Sequence, residues 1–318
     1  MQKTPLIGIV ALSVLALGAC STSGTGTNSP DSETLTKVTV GVIPIVDAAP
    51  IWLGQEKGFF ADAGLDLHIE TGTGGAALIP GVVAGTFDFA FGNYVSSMVA
   101  REKGLDLKYV MNAISISDAP QSHAVIVADD SDIQTPADLA GKTVGVNNLG
   151  NIDEITIRSI VAADGGDEST INFVEVAFPD AEAAVTNEQV DAARLNDPLL
   201  AAAVSHGVRI IMDNFAEFHP DLDISGYFAA GDTITDKPDL VEAFVGAMNR
   251  SFEYAQAHPD EIREISMTFT KMTAEQLDTI RLATYTSEFH RDAIEQLGEA
   301  AVKYGILDSL PDLTKLLL

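Results

Sequence analysis

From Lys37 onward, β-rich runs and amphipathic runs alternate along the chain, and this alternation restricts it to an α/β architecture. "KVTVGVI" is a β-branched run ending at Pro44, and "APIWLGQEKGFF" follows as a short amphipathic helix stopped at Gly58. "LDLHIE" alternates with period two, and "GTGG" turns the chain into a helix reading "AALIPGVVAG". "TFDFAFG", the helix "YVSSMVAREKG" and "LDLKYVMNAIS" complete a first set. Units of this length predict a parallel sheet with helices on both faces.

The pattern then restarts. "HAVIVAD" leads into "TPADLAGKTVGVNN", which reads as a short capped helix over 135–140 followed by a strand through Val146. "IDEITIRSIVAADGG" is a helix ended by two glycines. "TINFVEVAF", "EQVDAARLN" and "VRIIMD" read as strands, with "PLLAAAVSHG" a helix between the last two. After "ISGYFAAGD" the chain turns wholly helical, through "KPDLVEAFVGAMNRSFEYAQAHPDEI", "TAEQLDTIRLAT" and "RDAIEQLGEAAVKYGIL". A chain of 318 residues is long enough for two domains of about 150. The expected fold is therefore α/β: two Rossmann-like lobes and a helical C-terminal segment. The cleft between them lies at the carboxyl ends of the strands, where open α/β sheets bind ligands.

The N-terminus has a different character. Leu6 to Leu17 is a mostly apolar run behind Lys3, too short to span a bilayer and of signal-peptide length. It ends in Leu17-Gly18-Ala19-Cys20, which holds the sole cysteine. This resembles the lipobox of bacterial lipoproteins, and the resemblance implies that residues 1–19 are removed and that Cys20 is lipidated. Residues 20–35 then form a flexible Gly/Ser/Thr-rich tether. The implied location is the extracytoplasmic face of the cell membrane. One thiol excludes an internal disulfide and Cys-based metal clusters, and the six histidines are scattered, so no metal or cofactor is expected. The balance of 18 basic against 46 acidic residues, a net −28, argues against a nucleic-acid partner.

Four stretches together resemble the substrate-binding lipoproteins of ABC importers, in the nitrate/sulfonate/taurine and thiamine-precursor branch (the SsuA/THI5-like group). They are "VTVGVIPIVDAAPIWLGQEKGFFADAGLDLHIE", "GGAALIPGVVAGTFDFAFGN", "DLAGKTVGV" and "VDAARLNDP". The resemblance implies a type II periplasmic-binding-protein fold, with lobe one over 36–128 plus 224–318 and lobe two over 129–223. It further implies a monomer that closes on a small solute (a sulfonate, pyrimidine, amine or similar) and delivers it to an ABC permease. The chain has no Walker GxxxxGK[ST] sequence, so the energy-coupling step would belong to another subunit.

Candidate ligand contacts lie where strands pass into helices. Asp47 reads either as a helix N-cap or as a contact to a solute N–H, and Trp52 either as core or as a stacking platform. Thr73 and Gly74 sit in the turn where backbone can approach a ligand, while Asn93 and Tyr94 follow the third strand. Asn112 and Ser115 end the fourth strand, and His123 reads as a hydrogen-bonded structural histidine or a cleft group. In the second set, Asn147, Asn148 and Asn151 surround Gly150, and Arg194, Asn196 and Asp197 end the "VDAARLND" strand. If that strand alternates, Arg194 and Asn196 share one face and Asp197 the other. With at most one Arg, the set favours a neutral or zwitterionic solute.

Two other functions compete. One is a ligand-sensing module for a membrane receptor. The other is a small-molecule enzyme on the same scaffold, but the sequence has no GxSxG or HExxH motif, and the cysteine-rich motif of the thiamine-pyrimidine synthase branch is missing. The expected protein is not an enzyme.

Overall fold

The computed structural model describes residues 35–116, 122–278 and 280–318. The leader, Cys20 and the tether up to residue 34 lie outside the described residues. Among the described residues eleven strands occur in chain order: β1 (Thr36–Val42), β2 (Leu65–Thr71), β3 (Phe89–Asn93), β4 (Leu107–Ser115), β5 (His123–Val127), β6 (Thr143–Val146), β7 (Asn172–Glu175), β8 (Ala192–Asn196), β9 (Arg209–Met212), β10 (Asp223–Ala230) and β11 (Thr284–Tyr285). They build two sheets, one ordered β11-β4-β10-β3-β1-β2 and the other β7-β6-β8-β5-β9.

The sheets are mixed rather than purely parallel. β1 pairs in parallel with β2 and β3, and β6 with β7 and β8. β10 runs antiparallel to β3 and β4, and β5 antiparallel to β8 and β9. The reason is the path of the chain. β5 is the strand by which the chain enters the second sheet from the first, and β10 the one by which it returns. Each therefore starts at the edge where its neighbours end. That brings His123 and Ser225, near the starts of β5 and β10, to the carboxyl ends of the parallel strands.

Burial follows the sequence pattern. Val38, Val40 and Val42 of β1 are fully buried, and so is every residue of β8. Burial of every position of β8, polar Arg194 and Asn196 included, marks a strand covered on both faces. The helix Pro238–Ala257 starts on proline and buries Leu240, Val241, Phe244, Ala247, Met248 and Phe252 at helical spacing. Phe244 stacks on Phe89 of β3 with ring centroids 4.1 Å apart, which fastens this C-terminal helix to the first sheet. Where the same helix crosses Ala49–Glu56, a Cβ on Gly54 would stand 1.9 Å from Ser251 Oγ, so only glycine permits that approach.

Three helical expectations are corrected. The run through "AQAHPDEI" is not one helix: Pro259 cannot donate to the preceding turn, so the chain breaks at His258 and a second helix spans Pro259–Thr270. "TAEQLDTIRLAT" keeps helix only over Ala274–Asp278, and Thr284–Tyr285 instead pairs with the edge of β4. Tertiary pairing overrides a helical pattern there. The expected short helix over 135–140 is a single 3-10 turn at Pro136–Leu139, with Thr135 and Asp138 forming a capping box.

Candidate functional site

A small polar chamber of about 40 Å³ lies where β1, β3, β6 and β8 end. From the first sheet's side it is lined by Asp47, Asn93 and Ser225, and from the second by Asn147, Asn151, Asp153 and Arg194. Ile43, Ile45, Phe178 and Phe215 supply apolar wall. Its volume suits water rather than a solute, so a ligand can enter only if the two sides part.

Each polar group is positioned by its local chain. Asp47 lies in a 3-10 turn after β1 and does not cap the following helix, whose N-cap Ala48 has no side-chain bond. Its carboxylate instead meets His123 Nε2 at 2.9 Å, across 76 residues of sequence. His123 is buried and its Nδ1 is bonded to Ser122 Oγ at 2.9 Å, so both ring nitrogens are occupied. Asn93 caps the helix Tyr94–Glu102 by accepting from Ser96 N at 3.0 Å. Asn151 does the same for Ile152–Ala163, its Oδ1 accepting from the backbone N–H groups of Asp153 and Glu154.

The strongest charges in the chamber are paired. Arg194 Nε stands 2.9 Å from Asp153 Oδ1, with both side chains about as buried as core residues, 5% and 3% exposed. The two atoms are misaligned for a hydrogen bond, so their attraction is coulombic. The guanidinium carbon lies 4.7 Å from the Phe215 ring and 5.2 Å from Phe178, a cation–π arrangement that keeps water from its faces.

The two sides also touch at the chamber's rim. A Cβ on Gly74 would stand 1.8 Å from Asn148 Oδ1 and 2.9 Å from Asn147 Nδ2. Asn147 Nδ2 donates to the Thr73 carbonyl at a long 3.5 Å. Glycine at 74 is thus required by close approach and not by backbone angle, since its φ of 177° is ordinary extended backbone.

The other expected residues lie elsewhere. Trp52 stacks on Phe269 at 3.9 Å, which occupies one indole face. Tyr94 and Asn112 are buried inside the first body: the tyrosine hydroxyl donates to Asn112 Oδ1 at 2.7 Å, and burial raises its pKa well above normal. Asn112 Nδ2 donates to Ser115 Oγ and to Asp223 Oδ1, so this set forms a structural network. Arg194 and Asn196 do not open onto one space. Asn196 and Asp197 line a neighbouring cavity of about 290 Å³, separated from the chamber by Ile45. Burial raises the Asp197 carboxyl above the usual range, against partial relief from the Arg281 and Ala201 N–H groups. Sequence reasoning missed Asp153, Phe178, Phe215 and Ser225. Only Asp153 carried a local sign, two positions after an N-cap asparagine.

The family model described as NMT1/THI5 like matches residues 46–262. The chain belongs to the NMT1/THI5-like family. The formylaminopyrimidine-binding protein of Halalkalibacterium halodurans is 24% identical over 279 residues, 84% of this chain and 79% of that one. The riboflavin-binding protein RibY of Chloroflexus aurantiacus is 25% identical over 287 residues, 85% of this chain and 79% of its own. Among solved structures, the alkanesulfonate-binding protein SsuA of Xanthomonas axonopodis pv. citri, bound to MOPS, superposes with a TM-score of 0.76 at 15% identity, covering 89% of this chain and 98% of that one. The periplasmic nitrate-binding protein NrtA of Synechocystis PCC 6803 gives 0.77 at 15% identity, covering 89% and 86%. These likenesses establish the fold, that of periplasmic binding proteins. Both of these relatives are named as binding proteins. Among the described residues no helix is long and apolar enough to cross a membrane.

Proposed function

We propose that this chain is the solute-capturing lipoprotein of an ABC importer, and that the chamber between its two sheets is where the solute is held. The observation that carries this reading is a polar chamber at facing strand ends, shut by contacts that join distant segments, Asp47 to His123 and Gly74 to Asn148. In this reading the first sheet with its helices forms one lobe and the second sheet with its helices the other; because β5 pairs with β8 and β9, the second lobe starts at His123, earlier than the expected 129. Cys20 carries the lipid, the tether spaces the body from the membrane, and a membrane permease receives the cargo. The role is capture, not catalysis. Two relatives are named for formylaminopyrimidine and riboflavin, and a structural neighbour for alkanesulfonates, which supports a small polar organic molecule as cargo.

Closure on a solute stabilises the folded state by mass action, by about 2.7 kcal/mol at a hundredfold excess over Kd. Thermal unfolding with pyrimidines, flavins, taurine, sulfonates, nitrate and amines is expected to give a rise for one class. If no member of the set moves the midpoint, the capture role is refuted for these solutes. Cys20→Ala is expected to release the protein from the membrane fraction, and a variant that stays with membranes ends the lipoprotein reading.

A further inference from the structure

The chamber holds a buried carboxylate where an anionic solute group would sit. Helix Ile152–Ala163 begins at its wall, and the partial positive charge of that helix end adds to the guanidinium of Arg194. A guanidinium flanked by two phenyl rings, dry and fixed, recognises a planar or tetrahedral anion well. Asp153 already occupies that place. Its Oδ2 accepts from Asn151 Nδ2 at 3.2 Å, and its Oδ1 faces Arg194 Nε with neither atom hydrogen-bonded to a described residue. The remaining charged groups lining the chamber do not reverse this balance, because Asp47 adds a second carboxylate, held by His123.

We propose that Asp153 is a specificity-determining residue. It neutralises Arg194 from within and restricts the cleft to solutes that are uncharged or cationic at that end, offering N–H donors to Asp47 and the asparagine amides. Sulfonates, sulfate, phosphate and nitrate are excluded, because each would place a third negative charge beside Asp47 and Asp153. The inference deepens the capture role and rests on it.

The test uses ethanesulfonate as probe, with thermal unfolding and calorimetric titration of the intact body. The wild-type midpoint is expected to ignore ethanesulfonate. Asp153→Asn leaves Arg194 without its counter-charge and is expected to bind the probe at least about tenfold more tightly than wild type. If Asp153→Asn does not fold alone, refolding in the presence of ethanesulfonate is expected to restore it. Adding Arg194→Gln to Asp153→Asn should abolish the response to the probe. Equal binding by wild type and Asp153→Asn overturns the proposal. So does a folded or refolded Asp153→Asn that ignores the probe, or a response that survives loss of Arg194. A wild type that responds to a pyrimidine or flavin while Asp153→Asn ignores ethanesulfonate removes only the assignment of Asp153. A wild type that responds to no solute removes the capture role itself.

Discussion

Asp153 and Asp223 are both buried carboxylates at the ends of crossing or capping segments, yet their surroundings differ. Asp223 Oδ1 accepts from Ser115 Oγ, from Asn112 Nδ2 at 2.9 Å and from His290 Nδ1 at 2.7 Å, and its Oδ2 accepts from His290 N at 2.7 Å. Asp153 has one amide donor and a misaligned guanidinium. The first is a closed network that joins β4, β10 and the C-terminal segment without facing the chamber. The second faces the chamber and is left partly unsatisfied. The first needs no further partner, and the second has bonding capacity to spare on the chamber side.

Three substitutions sharpen or break this contrast. The largest effect is expected from Arg194→Met, which strands Asp153 without a counter-charge and should destabilise by about 3–5 kcal/mol. The double variant Asp153→Leu/Arg194→Met should recover most of that loss, because both charges go together. Equilibrium urea unfolding of the two proteins decides it, and equal losses would mean that the pair is no isolated unit. Next comes Asn112→Ala, which takes a donor from Asp223 and the acceptor from the Tyr94 hydroxyl. A loss of about 1–3 kcal/mol is expected from the same measurement, and no loss would show that the network is not structural.

The smallest effect concerns His290. Its pKa is raised, chiefly by the hydrogen bond to Asp223, with burial opposing. A histidine raised on folding contributes stability that is fully present below its unfolded pKa, about 6.5, and is lost as pH rises through the higher folded value. Burial raises Asp223 as well, so its own protonation matters only on the acid side. The stability advantage of wild type over His290→Gln is therefore expected to be full below about pH 6.5 and to shrink as pH rises above it. Because the imidazole is 40% exposed, solvent screening limits this to a fraction of a kcal/mol. A difference that stays flat over that range would uncouple His290 from Asp223.

Much of the fold was legible because it is written locally. Val38, Val40 and Val42 alternate, Thr135 opens a capped turn, and the run from Pro238 repeats at helical spacing. Asn93 and Asn151, read as ligand contacts, turned out to cap helices, while Asp47, read as a possible cap, does not. The site was legible only in part. Asp47, Asn93, Asn151 and Arg194 do line one chamber, because strand ends in such sheets converge on one edge. Tyr94 and Asn112 stood at equally promising strand ends, but their side chains turn inward to the Asp223 network. Phe178, Phe215 and Ser225 carried no local sign, since an aromatic or a serine reads the same in a core as in a binding wall.

By itself the sequence determined the alternation of strands and helices and the capped turn at Thr135. Each of these depends on neighbours within a few positions, where backbone geometry and hydrophobic period act. The tertiary structure alone decided that β5 and β10 run backwards, that Asp47 meets His123 across 76 residues, and that Asp153 rather than a solute answers Arg194. Pairings between distant segments are set by which surfaces pack once the sheets have formed, and no local pattern records them.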